Sequence, residues 1–207
     1  MRPLPRLHAI TDAQVLADPD LGIRAAAIAA AGSAVALHAR DRAATTSSLT
    51  QSAHRLMTLV RPPEAALFIS GRPDLAAALG ADGVQLSVND LGPADARRVF
   101  PHGWIGRSVH SEREAETAIT EGADYLFVGA VFPSTSHPDR RATGLDLIRQ
   151  TAALGKPVIA IGGIDPSRVA DVRAAGAYGV AAISALWKAP DSASAALAML
   201  EPWLVAS

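Results

Sequence analysis

The chain has 207 residues, of which 49% are hydrophobic and 19% are charged, and its formal net charge is −1. This length predicts a single domain over residues 1–207, and the small net charge argues against nucleic acid as a partner. The absence of cysteine excludes disulfides, thiolate-ligated metal sites and a thiol nucleophile. No stretch approaches the roughly 18 apolar residues of a membrane span, so we expect a cytoplasmic protein without a membrane partner.

Short apolar runs alternate with longer, alanine-rich segments of helical character along the chain. In chain order, the predicted strands are residues 6–10, 34–39, 66–69, 83–86, 104–107, 125–128, 157–161 and 179–183. Each run is too short for a helix, and this alternation is typical of β/α units around a parallel sheet. Ser111 precedes an acid-rich segment and is the predicted N-cap of the helix that follows the fifth strand.

Glycines recur at equivalent places between a helix and the next strand. Gly80, Gly122 and Gly176 precede the fourth, sixth and eighth predicted strands, and Gly32 is a weaker copy before the second. A glycine there can supply a left-handed C-cap, so the repeat indicates equivalent turns from helix to strand. Eight such units predict a single (β/α)₈ TIM barrel, with an open doubly wound sheet as the alternative.

In a barrel, functional residues lie in the loops that directly follow the strands. Polar candidates in these positions are His38, Arg40, Arg42, Ser70, Arg72, Arg107, Ser108 and His110. The arginines suit an anionic group, because a guanidinium matches carboxylate and phosphate geometry. For His38, packing inside the barrel is the alternative to a role in binding.

The loops after the seventh and eighth strands predict a phosphate site. Gly162 and Gly163 directly follow the seventh strand, and Ile183 and Ser184 end the eighth. Glycines let an anion approach backbone N–H groups, and the neighbouring loop completes the phosphate site that is common in this fold. The alternative is that the two glycines only form a tight turn.

Lysine and carboxylate chemistry are both restricted by position. Lys156 precedes the seventh strand and Lys188 lies beyond the eighth, which disfavours an aldolase that acts through a lysine imine. Asp90 is the one acid close behind a strand in a polar context. With phosphate oxygens it could hold Mg²⁺, but we predict no dedicated metal site and no cofactor.

Six segments together resemble the thiamine-phosphate synthase/TenI superfamily of (β/α)₈ barrels: residues 8–12, 70–76, 83–86, 105–111, 122–133 and 157–163. The resemblance implies a thiazole phosphate as the small-molecule partner. It also implies phosphate contacts at Gly163, Ile183 and Ser184, and thiazole contacts at Ser134 and Ser136. Barrels of this family often pair, so a homodimer is a further expectation.

The superfamily is known for two activities, and this chain departs from both patterns. The synthase joins hydroxymethylpyrimidine pyrophosphate to thiazole phosphate with Mg²⁺, and the tautomerase aromatises a thiazole carboxylate phosphate. Gly71 stands where the synthase has a Mg²⁺ carboxylate, and His137 stands where it has a lysine. We therefore expect a TenI-like thiazole tautomerase, with the Mg²⁺-dependent synthase as the alternative.

The tautomerase has a histidine after the glycine that ends its sixth strand, but Ala130 follows Gly129 here. We therefore expect the proton to be carried by His137, with His110 as the other candidate, because a histidine near neutral pKa can both accept and donate it. A catalytically silent protein that binds a phosphate ligand is the third hypothesis.

Overall fold

Parallel strands form a closed barrel at the centre of the molecule. A computed structural model describes residues 2–60, 64–133 and 142–204. Each strand pairs in parallel with the next along the chain, and the last pairs with the first. The strands are β1 (Leu7–Ile10), β2 (Val35–Ala39), β3 (Ala66–Ser70), β4 (Gly83–Leu86), β5 (Trp104–Val109), β6 (Tyr125–Val128), β7 (Val158–Ile161) and β8 (Gly179–Ala182).

Helices surround this barrel. They are α1 (Ala13–Leu16), α2 (Leu21–Ala29), α3 (Thr46–Val60), α4 (Pro73–Leu79), α5 (Pro93–Val99), α6 (Glu112–Thr120), α7 (Gly144–Ala152), α8 (Val169–Ala174), α9 (Ser184–Trp187) and α10 (Ser192–Leu204). The (β/α)₈ prediction is confirmed, and the doubly wound alternative is wrong because β8 closes onto β1. Every predicted strand is present, and β5 continues two residues beyond its predicted end.

Local sequence signals set where the elements begin and end. The Ser111 side chain accepts a hydrogen bond from the backbone N–H of Glu114, so the predicted N-cap of α6 is confirmed. Gly80 ends α4 with φ +61°, in the left-handed region, where a side chain would be strained. Gly122 and Gly176 also have positive φ, at +92° and +101°. The repeated turn is therefore a shared backbone conformation.

The apolar core has two parts. The larger one fills the layer between the strands and the helices. The smaller one lies inside the barrel and contains Phe68, Tyr125, Phe127 and Leu4. Leu4 comes from the segment before β1, and its carbonyl accepts a 2.8 Å hydrogen bond from the Tyr178 hydroxyl. The N-terminal segment therefore closes the end of the barrel at which the strands begin, opposite the predicted site.

Within the described ranges, no helix has both the length and the apolar character needed to cross a membrane.

Candidate active site

A cavity of about 820 Å³ opens at the carboxyl ends of the strands. A cavity of this size accommodates small-molecule substrates. It brings together predicted residues from the carboxyl ends of six strands and the loops that follow them: Arg40, Arg42, Ser70, Arg72, Asp90, Ser108, His110, Gly162, Gly163, Ile183 and Ser184. The closed barrel thus gathers residues that are up to 144 positions apart in the sequence.

The backbone around Gly162, Gly163, Ile183 and Ser184 forms one wall, which we call the phosphate cradle. Gly162 and Gly163 have φ of +100° and +64°. A Cβ at Gly163 would lie 2.5 Å from the carbonyl oxygen of Pro133, so this position has no room for a side chain. A glycine-rich turn beside the start of α9 suits an anion, because it leaves backbone N–H groups accessible.

The loop after β2 places two arginine side chains at the cavity. Arg40 and Arg42 both line it. Arg40 is half-buried, and its pKa is lowered first by burial and then by the nearby Arg42 charge. The nearby carboxylates of Asp12 and Asp41 act in the opposite direction. Two neighbouring arginines favour an anionic ligand over a neutral one, because each can interact favourably with negative charge.

Thr11 fixes the backbone of Arg40 and was missed by sequence reasoning. This residue follows β1 and is fully buried. Its hydroxyl donates to the carbonyl of His38 at 2.8 Å and accepts from the N–H of Arg40 at 2.9 Å. A threonine directly after the first strand was a weak signal, because only the β1–β2 pairing brings it to Arg40.

Arg72 lies at the rim of the cavity with much of its charge already compensated. Its guanidinium donates to both carboxylate oxygens of Asp74, at 2.8 and 2.6 Å, and to the Thr46 hydroxyl at 2.9 Å. The hydrogen bonds that Arg72 donates to the Asp74 carboxylate raise the pKa of Arg72. Arg72 therefore contributes less positive charge to the cavity than the loop after β2.

His38 does not take the position that we predicted for a substrate contact. Its side chain is fully buried inside the barrel, stacked on Phe68 with ring centroids 5.0 Å apart. It is not among the described residues that line the cavity. The interpretation of His38 as a packed barrel histidine is the correct one, because β2 directs this residue into the barrel below the mouth.

His38 pairs with a second buried histidine. Nε2 of His38 lies 2.8 Å from Nδ1 of His8, and Nε2 of His8 lies 3.1 Å from the carbonyl oxygen of Pro5. A carbonyl only accepts, so His8 carries its proton on Nε2 and accepts from Nε2–H of His38. Burial lowers the pKa of His8 to about 3 and lowers that of His38 well below its usual value. Both rings are therefore neutral near pH 7.

Arg107 also differs from its predicted role. Its guanidinium donates to the carbonyl oxygens of Ser87, at 2.7 Å, and Leu91, at 3.0 Å. Arg107 is not one of the described residues that line the cavity. Arg107 thus holds the loop between β4 and α5, which carries Asp90. This arrangement does not support the predicted substrate contact, because the guanidinium faces these carbonyls and not the cavity.

Asp90 is the acid best placed to hold a metal. Its side chain accepts from the N–H of Ser87 at 2.6 Å, and a Cβ at Gly71 would lie 3.1 Å from Asp90 Oδ1. The described part of the chain contains no cluster of three or more histidine or acidic side chains suited to a metal ion. One carboxylate at a cavity of this kind fits a Mg²⁺ held mainly by substrate phosphate oxygens. It does not fit an all-protein metal site.

His110 lies at the cavity wall after β5. Its Nδ1 is hydrogen-bonded to the carbonyl oxygen of Gly129, and its backbone N–H donates to Glu114 Oε2 at 2.8 Å. Because the carbonyl can only accept, Nδ1 carries the proton, and the lone pair of the neutral ring is on Nε2. The predicted thiazole contacts Ser134 and Ser136 and the predicted proton carrier His137 lie outside the described residues.

Comparison with known proteins places this barrel among its relatives. A family model described as thiamine monophosphate synthase (TMP-TENI) matches residues 7–186. A thiamine-phosphate synthase of Thermus thermophilus is 46% identical over 149 residues, which cover 71% of this chain and 72% of that protein. One of Chloroflexus aurantiacus is 38% identical over 197 residues, covering 92% and 89%.

A solved structure agrees with these sequence matches. The thiamine phosphate pyrophosphorylase of Pyrococcus furiosus superposes with a TM-score of 0.82 at 34% identity, and the match covers 95% of this chain and 94% of that one. The resemblance indicated by the sequence motifs is thereby confirmed. The chain belongs to the thiamine monophosphate synthase family.

Proposed function

We propose that this protein is a thiamine-phosphate synthase that joins hydroxymethylpyrimidine diphosphate to thiazole phosphate. The observation that carries the proposal is the extent of similarity to proteins named thiamine-phosphate synthase, at 38% identity over 92% of this chain. These names favour the transferase over the tautomerase. The sequence motifs had led us to expect the tautomerase first, with the synthase as the alternative.

The cavity offers separate places for the two anionic ends of such a substrate pair. The phosphate cradle on β7 and β8 would bind the thiazole phosphate through backbone N–H groups. Arg40 and Arg42 would bind the diphosphate on the side of β2. In a closed barrel β2 is separated from β8 by one strand, so the reacting atoms would meet over the mouth between the two sites.

The transfer forms a bond from the thiazole nitrogen to the methylene carbon of the pyrimidine and breaks the bond from that carbon to the diphosphate oxygen. Pyrophosphate leaves with the bonding electrons. Arg40 and Arg42 would stabilise the charge that develops on it, because fixed cations act most strongly where charge appears in the transition state. Asp90 would hold Mg²⁺, which when bound supplies further neutralisation of the leaving group.

The direct test supplies purified protein with both substrates and Mg²⁺ and measures thiamine phosphate and pyrophosphate. We expect the two products in equal amounts, and we expect Arg40→Gln to slow their formation. Arg98→Gln is the matched control, because Arg98 is exposed on α5 and pairs with Asp95 outside the cavity. No thiamine phosphate at high protein concentration would contradict the proposal.

Thiazole tautomerisation is the second candidate, favoured by one observation. The His110 imidazole reaches the cavity wall with its proton on Nδ1, which makes Nε2 a possible base. Faster aromatisation of the thiazole carboxylate phosphate in D₂O, with deuterium incorporation that is lost in His110→Ala, would support it. The role of His137 stays a prediction. Ligand binding without either reaction would favour the silent protein instead.

A further inference from the structure

Arg168 contacts the phosphate cradle and was not singled out by the sequence. It lies directly before α8 and lines the cavity. Its guanidinium donates a hydrogen bond to the carbonyl oxygen of Gly163. The same group lies over the ring of Phe132, with Cζ 4.7 Å from the ring centroid. This distance is within the range of a cation–π contact.

These contacts lie where two loops meet. The backbone N–H of Phe132 donates to the carbonyl oxygen of Gly162 at 3.0 Å, and that of Val131 donates to the carbonyl of Ile161 at 2.9 Å. The loop after β6 is therefore tied to the loop after β7. Arg168 spans the same junction with one side chain, because it touches Phe132 in the first loop and Gly163 in the second.

The electrostatic consequence concerns the phosphate. A carbonyl oxygen carries partial negative charge and repels an anion, whereas the N–H of the same residue attracts it. Arg168 donates a hydrogen bond to the carbonyl oxygen of Gly163 and places a positive charge beside it. Asp165 only partly offsets this charge, because its Oδ2 is 3.9 Å from Arg168 Nε and its Oδ1 accepts from Ser167. A guanidinium has five N–H donors, so donors remain after the bond to Gly163.

We propose that Arg168 is a positioning residue of the phosphate cradle, fixing the Gly163 peptide and raising the affinity of the cradle for a phosphate monoester or inorganic phosphate. The inference rests on the phosphate subsite of the proposed function. It does not depend on which reaction the protein catalyses.

The test follows the backbone amide signals of Gly162 and Gly163 by ¹⁵N–¹H NMR while inorganic phosphate is titrated into the protein. These residue-specific signals separate the cradle from anion binding at Arg40 and Arg42. We expect both amides to shift in the unaltered protein and the dissociation constant at Gly163 to rise about 10- to 100-fold in Arg168→Met, the range expected for a charge-assisted hydrogen bond. Arg168→Lys keeps the charge and one donor, so it should recover part of the affinity.

Two further variants keep the result interpretable. Phe132→Leu removes the ring under the guanidinium and should weaken phosphate binding less than Arg168→Met. Arg98→Met makes the same chemical change at an exposed position and should leave the titration unchanged. Equal dissociation constants for the unaltered protein and Arg168→Met would overturn the inference, as would unshifted Gly163 signals in the unaltered protein.

The kinetic readout separates this inference from the proposed function. In the synthase assay, Arg168→Met should raise KM for the thiazole phosphate and change KM for the diphosphate little. A change in kcat alone would contradict a role in phosphate binding. If the protein makes no thiamine phosphate but the Gly163 titration still depends on Arg168, the synthase proposal fails and the role of Arg168 is supported.

Discussion

At the scale of single residues, the Thr11 hydroxyl joins the ends of β1 and β2 directly beneath Arg40. Thr11→Val keeps the shape of the side chain but removes the hydrogen bonds of the hydroxyl, and it leaves the part-buried N–H of Arg40 without this partner. We expect the free energy of unfolding in urea to fall by about 1–3 kcal/mol, and KM for the diphosphate to rise. Thr11→Ser retains the hydroxyl and is the control. Identical free energies of unfolding and KM values for Thr11→Val and Thr11→Ser would show that the hydroxyl does not hold the two strand ends together.

At the scale of elements, the loop between β4 and α5 holds its shape through Arg107. Because this guanidinium binds the carbonyls of Ser87 and Leu91, Arg107→Met should loosen the loop that carries Asp90. In the synthase assay we expect on the order of a tenfold rise in the Mg²⁺ concentration that gives half-maximal rate, equivalent to about 1.4 kcal/mol. Asp90→Asn should weaken the response to Mg²⁺ further. An unchanged Mg²⁺ requirement in Arg107→Met would show that the loop keeps its shape without these bonds.

At the scale of the whole molecule, the buried histidine pair makes stability depend on pH. Burial lowers the pKa of His8 to about 3 and that of His38 in the same direction, whereas a histidine in the unfolded chain titrates near 6.5. Above about pH 6.5 neither the folded nor the unfolded chain binds protons at these two histidines. As pH falls from about 6.5 towards 3, the unfolded chain takes up protons that the folded barrel does not, so stability falls by up to ~1.4 kcal/mol per pH unit for each histidine.

His38→Gln tests this dependence. A glutamine amide can still donate to His8 but does not titrate, so urea unfolding between pH 6.5 and 4 should show a slope that is smaller by up to ~1.4 kcal/mol per pH unit. His54→Gln makes the same chemical change at an exposed position of α3 and is the matched control. Equal slopes for His38→Gln and the unaltered protein would show that His38 is not the group responsible.

The assembly of the whole molecule also stays a prediction. Light scattering of the purified protein checks the homodimer that the family resemblance implies.

The sequence by itself determined the elements, the barrel and the place of the cavity. Strand lengths, the glycine turn at Gly80 and its repeats, and the cap at Ser111 are local signals. They depend on backbone conformation within a few residues, and eight repeats of one unit leave a closed barrel as the favoured arrangement. The rule that loops after strands form the mouth then placed Gly163, Ser184, Arg40 and Asp90 at one cavity, where the structure also has them.

Only the tertiary structure decided what individual side chains do at that cavity. His38 packs against Phe68 and His8 inside the barrel, and Arg107 binds the carbonyls of a neighbouring loop instead of facing the cavity. The roles of Thr11 and Arg168 follow only from their tertiary contacts, Thr11 with Arg40 and Arg168 with Gly163. The physical reason is that a side chain's direction and partners are set by strand register and barrel closure, which join residues far apart in the chain and leave no local periodic signal in the sequence.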